Sequence, residues 1–233
     1  MSKNKLQKFK EMEVFENVMQ PDIKDLLNIN FPLKGNWNKN YFKNNNPIVL
    51  EVGAGKAEYT VALAEKYPDK NFIALDIKGA RLWKGAKDAL DKNLKNAAFL
   101  RTKIDFITSF FDKDEVCEIW IPFPDPQPRK QRKRLVAPMF LNRYRQFIKQ
   151  DAIINLKTDN RYLFDYASAM LKENNIEPIE QIEDLYNSET QSDVKITKTF
   201  YENKFLKKDA IITFLKFKIN RDTELVDIDF EKI

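Results

Sequence analysis

The sequence predicts an α/β fold: a mostly parallel, seven-stranded sheet with helices on both faces and an antiparallel last strand. Three observations predict it. Short apolar runs recur from Pro47 onward and alternate with stretches of helical period, the pattern of βαβ units. A glycine turn, Gly53-Ala54-Gly55, joins the first run to the first helix, as in doubly wound sheets. The last run, Ile211 to Ile219, begins apolar, ends in alternation and closely follows another candidate strand, so the final two strands are expected to pair antiparallel.

The elements follow in order. Ile48-Val49-Leu50-Glu51-Val52 reads as a buried strand, and a helix from about Ala57 to Tyr67 stops before Pro68. Phe72 to Asp76 forms the second strand, and about Ala80 to Leu94 the next helix. Ala97 to Arg101 and Val116 to Ile121 are strands three and four. A proline-rich loop leads to a helix over about Pro138 to Ile148. Ala152 to Leu156 is the fifth strand, followed by a helix from about Arg161 to Glu173, a strand near Ile176 to Ile182, and the last strand. Residues 1–46 are polar, rich in Asn and without clear period, so they are read as a partly irregular N-terminal extension held by Trp37, Tyr41 and Phe42, with its lysines on a mobile arm. The domain itself is assigned to residues 47–220, and residues 221–233 to an acidic tail.

Composition narrows the chemistry. At 233 residues and 43% hydrophobic, the chain suits one domain with one buried core. It has one cysteine and no histidine, which excludes an internal disulfide, a thiolate zinc cluster and every histidine-based mechanism. No metal is expected. No apolar run reaches the roughly 20 residues that span a bilayer, and the first residues lack the apolar stretch of a signal peptide. A cytoplasmic protein with no membrane contact is expected.

The charge is uneven. Eight basic residues and no acidic ones lie between Pro126 and Gln150, so this segment carries +8 while the whole chain nets only +5. Five of the nine arginines fall between Arg129 and Arg145. Arginine suits bidentate phosphate contact, and this concentration reads as a nucleic-acid footprint; a solvated helix face is the alternative.

The turn Glu51-Val52-Gly53-Ala54-Gly55-Lys56-Ala57 separates three ligand classes. A P-loop needs Ser or Thr after Gly-Lys, and Ala57 stands there; a dinucleotide fold needs a third glycine where Glu58 stands. An acidic strand end followed by Gly-x-Gly-x-small remains, a pattern associated with S-adenosylmethionine (SAM) methyltransferases. Asp76, ending the second strand, is placed to accept hydrogen bonds from a ribose diol. Glu51 faces the same crevice, where a carboxylate holds an ammonium group directly or through water. A glycine turn that merely packs a helix on the sheet is the bland reading.

After the fourth strand comes Pro122-Phe123-Pro124-Asp125-Pro126-Gln127-Pro128-Arg129. Its prolines stiffen the loop and present Asp125 in a fixed pose. With Thr158-Asp159-Asn160 and Thr199-Phe200-Tyr201-Glu202, this loop resembles the bacterial tRNA (guanine-N7-)-methyltransferases, and the likeness runs from Ile48 to Ile219. The family's loop reads Phe-x-Asp-Pro-Trp-Pro-Lys. Gln127 replaces its Trp, Arg129 its Lys, and the basic run is shorter and lacks the family's histidine.

The resemblance implies a Rossmann-like class I SAM-dependent methyltransferase fold and methylation of guanine N7 in tRNA, at guanosine 46 of the variable region. It places the cofactor, SAM, against Glu51, Gly53, Gly55, Asp76 and Asp125, with Thr102 or Lys103 near the adenine. Lys103 stands where relatives often carry an acid or amide. It places the tRNA against Arg129, Asp159, Thr199 and Glu202. Asp125 is the expected catalytic residue, with Asp159 and Glu202 accepting from guanine N1–H and N2–H. No obligate protein partner is evident. Asp159 and Thr158 also read as helix caps, and Phe123 either stacks on a base or packs in the core. Two other classes stand beside this one. An adenine-N6 methyltransferase needs consecutive prolines and an aromatic at the loop, and a non-catalytic RNA-binding module needs no glycine turn between two acids.

Overall fold

The computed structural model describes residues 3–22 and 31–230. Residues 1–2 and 23–30 of the expected extension, and the last three of the expected tail, lie outside that range. In chain order the elements are α1 Lys3–Val14, β1 Val18–Met19, β2 Ile48–Val52, α2 Glu58–Lys66, β3 Asn71–Asp76, α3 Gly79–Asp91 and β4 Ala97–Arg101. Then come β5 Val116–Pro122, α4 Pro138–Tyr144, β6 Ile148–Thr158, α5 Arg161–Glu173, β7 Glu180–Ile182, α6 Phe200–Leu206 and β8 Thr213–Lys218. The sheet order is β1-β4-β3-β2-β5-β6-β8-β7. Pairs from β1 to β6 are parallel, while β8 runs antiparallel to both β6 and β7.

The seven expected strands are all present, and an eighth, β1, comes from the N-terminal segment. Strand order reverses between β2 and β5, the place where such sheets open a crevice at their carboxyl ends. Alternate residues of the central strands serve opposite faces. Ile48, Leu50, Ile73, Leu75, Ile119 and Ile121 pack with α4 and α5, while Val49, Phe72, Ala74, Phe99 and Trp120 pack with α2 and α3. One sheet therefore divides two cores, where composition alone suggested one. Glu51 shares the parity of Val49, which turns it toward α2.

The N-terminal segment is more ordered than its polarity suggests. In α1, Met12 is buried, Glu11 accepts from Trp83 Nε1 at 2.7 Å, and Phe9 lies 4.5 Å under the Arg101 guanidinium. The lysines expected on a mobile arm thus ride on a docked helix. Trp37 is fully buried in the α4/α5-side core and donates through Nε1 to Phe110 O at 2.9 Å. At the other end, Leu225 and Ile228 join the same core. Asn142 and Asn174 each hold one residue of that segment, Leu225 and Val226, by its backbone N–H and C=O.

Candidate active site

A cavity of about 760 Å³ opens where the strand order reverses. One wall is built by the turns after β2, β3 and β4. Gly53 and Gly55 both have positive φ, 67° and 58°, a conformation glycine adopts freely. Ala57 has it too, at 54°, so the small residue that closes the Gly-x-Gly-x-small turn carries backbone strain. Helix α3 leaves room for its methyl. A Cβ at Gly85 would sit 2.5 Å from Lys56 O and 2.8 Å from Ala57 Cβ, so only glycine permits that approach.

The two acids are held differently. Asp76 Oδ2 accepts from Gly55 N at 2.8 Å and Oδ1 from Lys78 N at 2.6 Å, which locks the carboxylate at the mouth of the turn. Glu51 is buried, with Oε2 accepting from Thr60 N and Thr60 Oγ1 at 2.8 and 2.6 Å. Burial pushes its carboxyl up to about 8, against the lowering pull of those bonds. Thr102 is buried and lines the cavity, with its N–H on Asp76 O at 3.2 Å. Lys103 is exposed and lies outside the lining.

The opposite wall comes from the loops after β5 and β6 and from α6. In the proline loop, Phe123 and Gln127 have φ of 51° and 46°. Asp125 is exposed, lines the cavity and accepts from Gln127 N at 3.1 Å. Arg134 Nε donates to Pro126 O at 3.0 Å, which pins the loop from behind. Phe123 is half-buried, faces the cavity and packs 5.9 Å from Phe205.

After β6, Asn160 caps α5, accepting from Leu163 N at 2.8 Å. The cap is therefore Asn160 and not Asp159. Asp159 is half-buried on the cavity wall, where burial raises its carboxyl pKa. Thr199 lines the cavity and caps α6 in a reciprocal box with Glu202.

The cavity thus gathers Glu51, Gly53, Gly55, Asp76, Thr102, Asp125, Asp159 and Thr199. It does not gather Lys103, Arg129 or Glu202. Arg129 lies on an adjoining exposed groove with Arg132 and the segment Asp227–Asp229, while Lys130 and Lys133 line both that groove and the cavity. Glu202 is fully buried and paired with Lys157, so the expected guanine contact through its carboxylate has no open face.

The basic footprint also narrows. Arg134 is 1% exposed, stacked 4.2 Å from Tyr166 and 4.9 Å from Tyr162. Arg145 is tied to Arg221 O and Asn142 Oδ1. Cations that charge counting missed, Lys56, Lys78 and Arg81, line the cavity beside Glu51 and Asp76. Their signal was positional: Lys56 follows the carboxyl end of β2, and Lys78 and Arg81 that of β3, on one side of the reversal. Among the described residues no group of three or more His, Cys, Asp and Glu is placed to hold a metal. No helix there is long and apolar enough to cross a membrane.

The arrangement fits SAM. The open turn at Gly55, where an added Cβ would meet nothing within 4 Å, leaves backbone accessible between two carboxylates. Comparison with known proteins agrees. Solved structures share the fold: an antibiotic-related methyltransferase matches 77% of this chain and 90% of its own, with TM-score 0.57 at 16% identity. A SAM-dependent methyltransferase from Aquifex aeolicus matches 85% and 99%, with TM-score 0.53 at 13% identity. The fold is the class I SAM-dependent methyltransferase fold. A family model described as "Putative methyltransferase" matches residues 45–215. The tRNA (guanine-N(7)-)-methyltransferase of Bacteroides fragilis is 47% identical across 99% of this chain and 92% of its own length. That of Christiangramia forsetii is 50% identical across 94% and 99%, and that of Clostridium novyi 37% across 80% and 87%. With identities this high over nearly the whole length, the chain belongs to the tRNA (guanine-N(7)-)-methyltransferase family.

Proposed function

We propose that this chain methylates guanine N7 in tRNA with SAM as donor, at guanosine 46 of the variable region. It does so in the cytoplasm, without an obligate protein partner. When bound, SAM supplies a methyl group on a positively charged sulfur. Guanine N7 presents a lone pair, so no side chain has to remove a proton from it, and a chain without histidine suits the task. What the residues contribute is placement and charge. Glu51 holds the cofactor's ammonium end, Asp76 its ribose, and Thr102 the adenine edge through its main chain.

On the facing wall, Asp159 and Thr199 hold the polar edge of the guanine. Asp125 stands where positive charge gathers on the purine as the methyl arrives, and a carboxylate there stabilises the product side. The exposed Arg129 and Arg132 take tRNA phosphates outside the cavity, and Lys130 and Lys133 take them at its rim. The observation that carries the reading is the single cavity shared by the Glu51–Asp76 wall and by Asp125 and Asp159. The test is incubation of the purified chain with labelled SAM and unmodified tRNA, followed by nucleoside mass spectrometry and mapping of the modified position. Formation of 7-methylguanosine at position 46 supports the reading. A different methylated nucleoside, or none, sinks it.

A further inference from the structure

Where α6 meets the turns after β2 and β3, the cavity rim carries aromatic and cationic side chains that the reading above leaves without a task. Phe200 is 52% exposed, and Lys56 Nζ lies 3.5 Å from its ring centroid. Tyr201 lines the cavity and meets Phe200 edge-on, with centroids 5.5 Å apart at 84°. The Arg81 guanidinium lies 5.3 Å from the Tyr201 ring. The Phe200 backbone is anchored at the start of α6, where its N–H donates to both carboxylate oxygens of Glu58, at 2.9 and 3.1 Å. A large apolar ring thus stands in solvent at the edge of the site, with the Lys56 ammonium on one side and the Tyr201 ring edge-on to it.

We propose that Phe200 is a stacking platform for the base next to the target guanine, with Lys56 and Arg81 on the flanking phosphates. The proposal rests on the tRNA reading given above. An enzyme that does chemistry on a base takes that base out of its stack and into a pocket. A guanine that reaches this cavity must therefore leave its stack. Its neighbour is left with one bare face, and an exposed aromatic ring at the rim covers that face whatever the base. Lys56 and Arg81 follow β2 and β3, whereas Arg129 to Lys133 follow β5. Cations therefore stand on both sides of the strand-order reversal, and an RNA strand crossing the mouth meets positive charge on either side.

The experiment compares equilibrium tRNA binding by the wild-type chain, Phe200→Ala and Phe200→Trp, with thermal unfolding as the control for folding. Phe200→Ala is expected to weaken tRNA binding by about 5- to 100-fold, and Phe200→Trp to restore most of it. In a second arm, Lys56→Gln with Arg81→Gln should flatten the dependence of log K on log salt by about one to two contacts. Phe200→Ala binding as tightly as wild type, or an unchanged salt slope in the double variant, overturns the proposal. So does a Phe200→Ala variant that loses only concentration-dependent self-association in sedimentation, which would assign the ring to a protein interface. Failure of the wild type to make 7-methylguanosine would count against the tRNA reading instead, and the binding comparison still judges the platform.

Discussion

Lys157 Nζ lies 2.5 Å from Glu202 Oε1, and neither side chain is exposed to solvent. The ammonium's other donors go to Tyr59 Oη at 2.8 Å and Val194 O at 2.9 Å. Glu202 Oε2 accepts from Thr199 N. The pair therefore ties the end of β6 to the cap of α6, and so sets where Thr199 and Tyr201 meet the cavity. Burial holds the Lys157 ammonium down to about 8 despite the pull of Glu202.

Lys157→Met should strand a buried carboxylate and cost about 3–5 kcal/mol of stability in urea unfolding. Adding Glu202→Gln to it should recover part of that loss. A Glu202→Gln variant of full stability with only a raised KM for tRNA would instead restore Glu202 as a substrate contact.

At Glu51 the raised pKa gives a proton count. Near pH 7 the carboxyl is largely protonated before ligand arrives, and an ammonium docked beside it favours the ionised form. SAM binding should then release up to about one proton, read by calorimetry in buffers of different ionisation enthalpy. Glu51→Gln should abolish the release. Because the folded value lies above the ordinary one near 4.5, the stability Glu51 contributes is full below that value and lost as pH rises through about 8. The Gln variant should gain on wild type over that window; equal pH profiles would refute this account.

Arg134 separates fold from footprint. Arg132→Glu with Lys133→Glu should weaken tRNA binding and flatten its salt dependence while the unfolding midpoint stays near wild type. Arg134→Glu places an acid between Tyr162 and Tyr166 and frees the Pro126 carbonyl, so the midpoint itself should fall. Equal midpoints for the two variants would show that Arg134 belongs with the exposed cations.

Asp125→Asn keeps the shape of the loop and removes the charge. Single-turnover methyl transfer should slow by about 100-fold, with tRNA affinity nearly unchanged. The wild-type rate should not climb tenfold per pH unit through neutrality, since no base is required. A variant as fast as wild type at saturating SAM and tRNA would reduce Asp125 to a binding residue.

Strands and helices of the central domain were legible because apolar period and glycine or proline punctuation agree there. That Glu51, the glycine turn and Asp76 share one cavity wall was legible for the same reason, since all stand at strand ends. What composition hid was long-range pairing. Nothing local marks Arg134 or Lys157 as buried, since each is placed by partners far along the chain, Tyr166 and Glu202. Nor does the Asn-rich segment announce that Trp37 enters the core, because a single aromatic among polar residues has no period. Asp159 and Asn160 are adjacent potential caps, and only backbone geometry decided between them.

Strand β1 has a consequence for solubility. It is two residues long, yet Val18 and Met19 pair with Phe99 and Leu100, and Phe99 N donates to Asn17 O at 2.8 Å. Without it, β4 would end the sheet and offer unpaired amides along the apolar run Ala97-Ala98-Phe99-Leu100. Open edges of that kind recruit strands from other chains. Docking of α1 keeps this short plug in place, so the N-terminal segment guards the sheet against edge-to-edge aggregation as well as extending it.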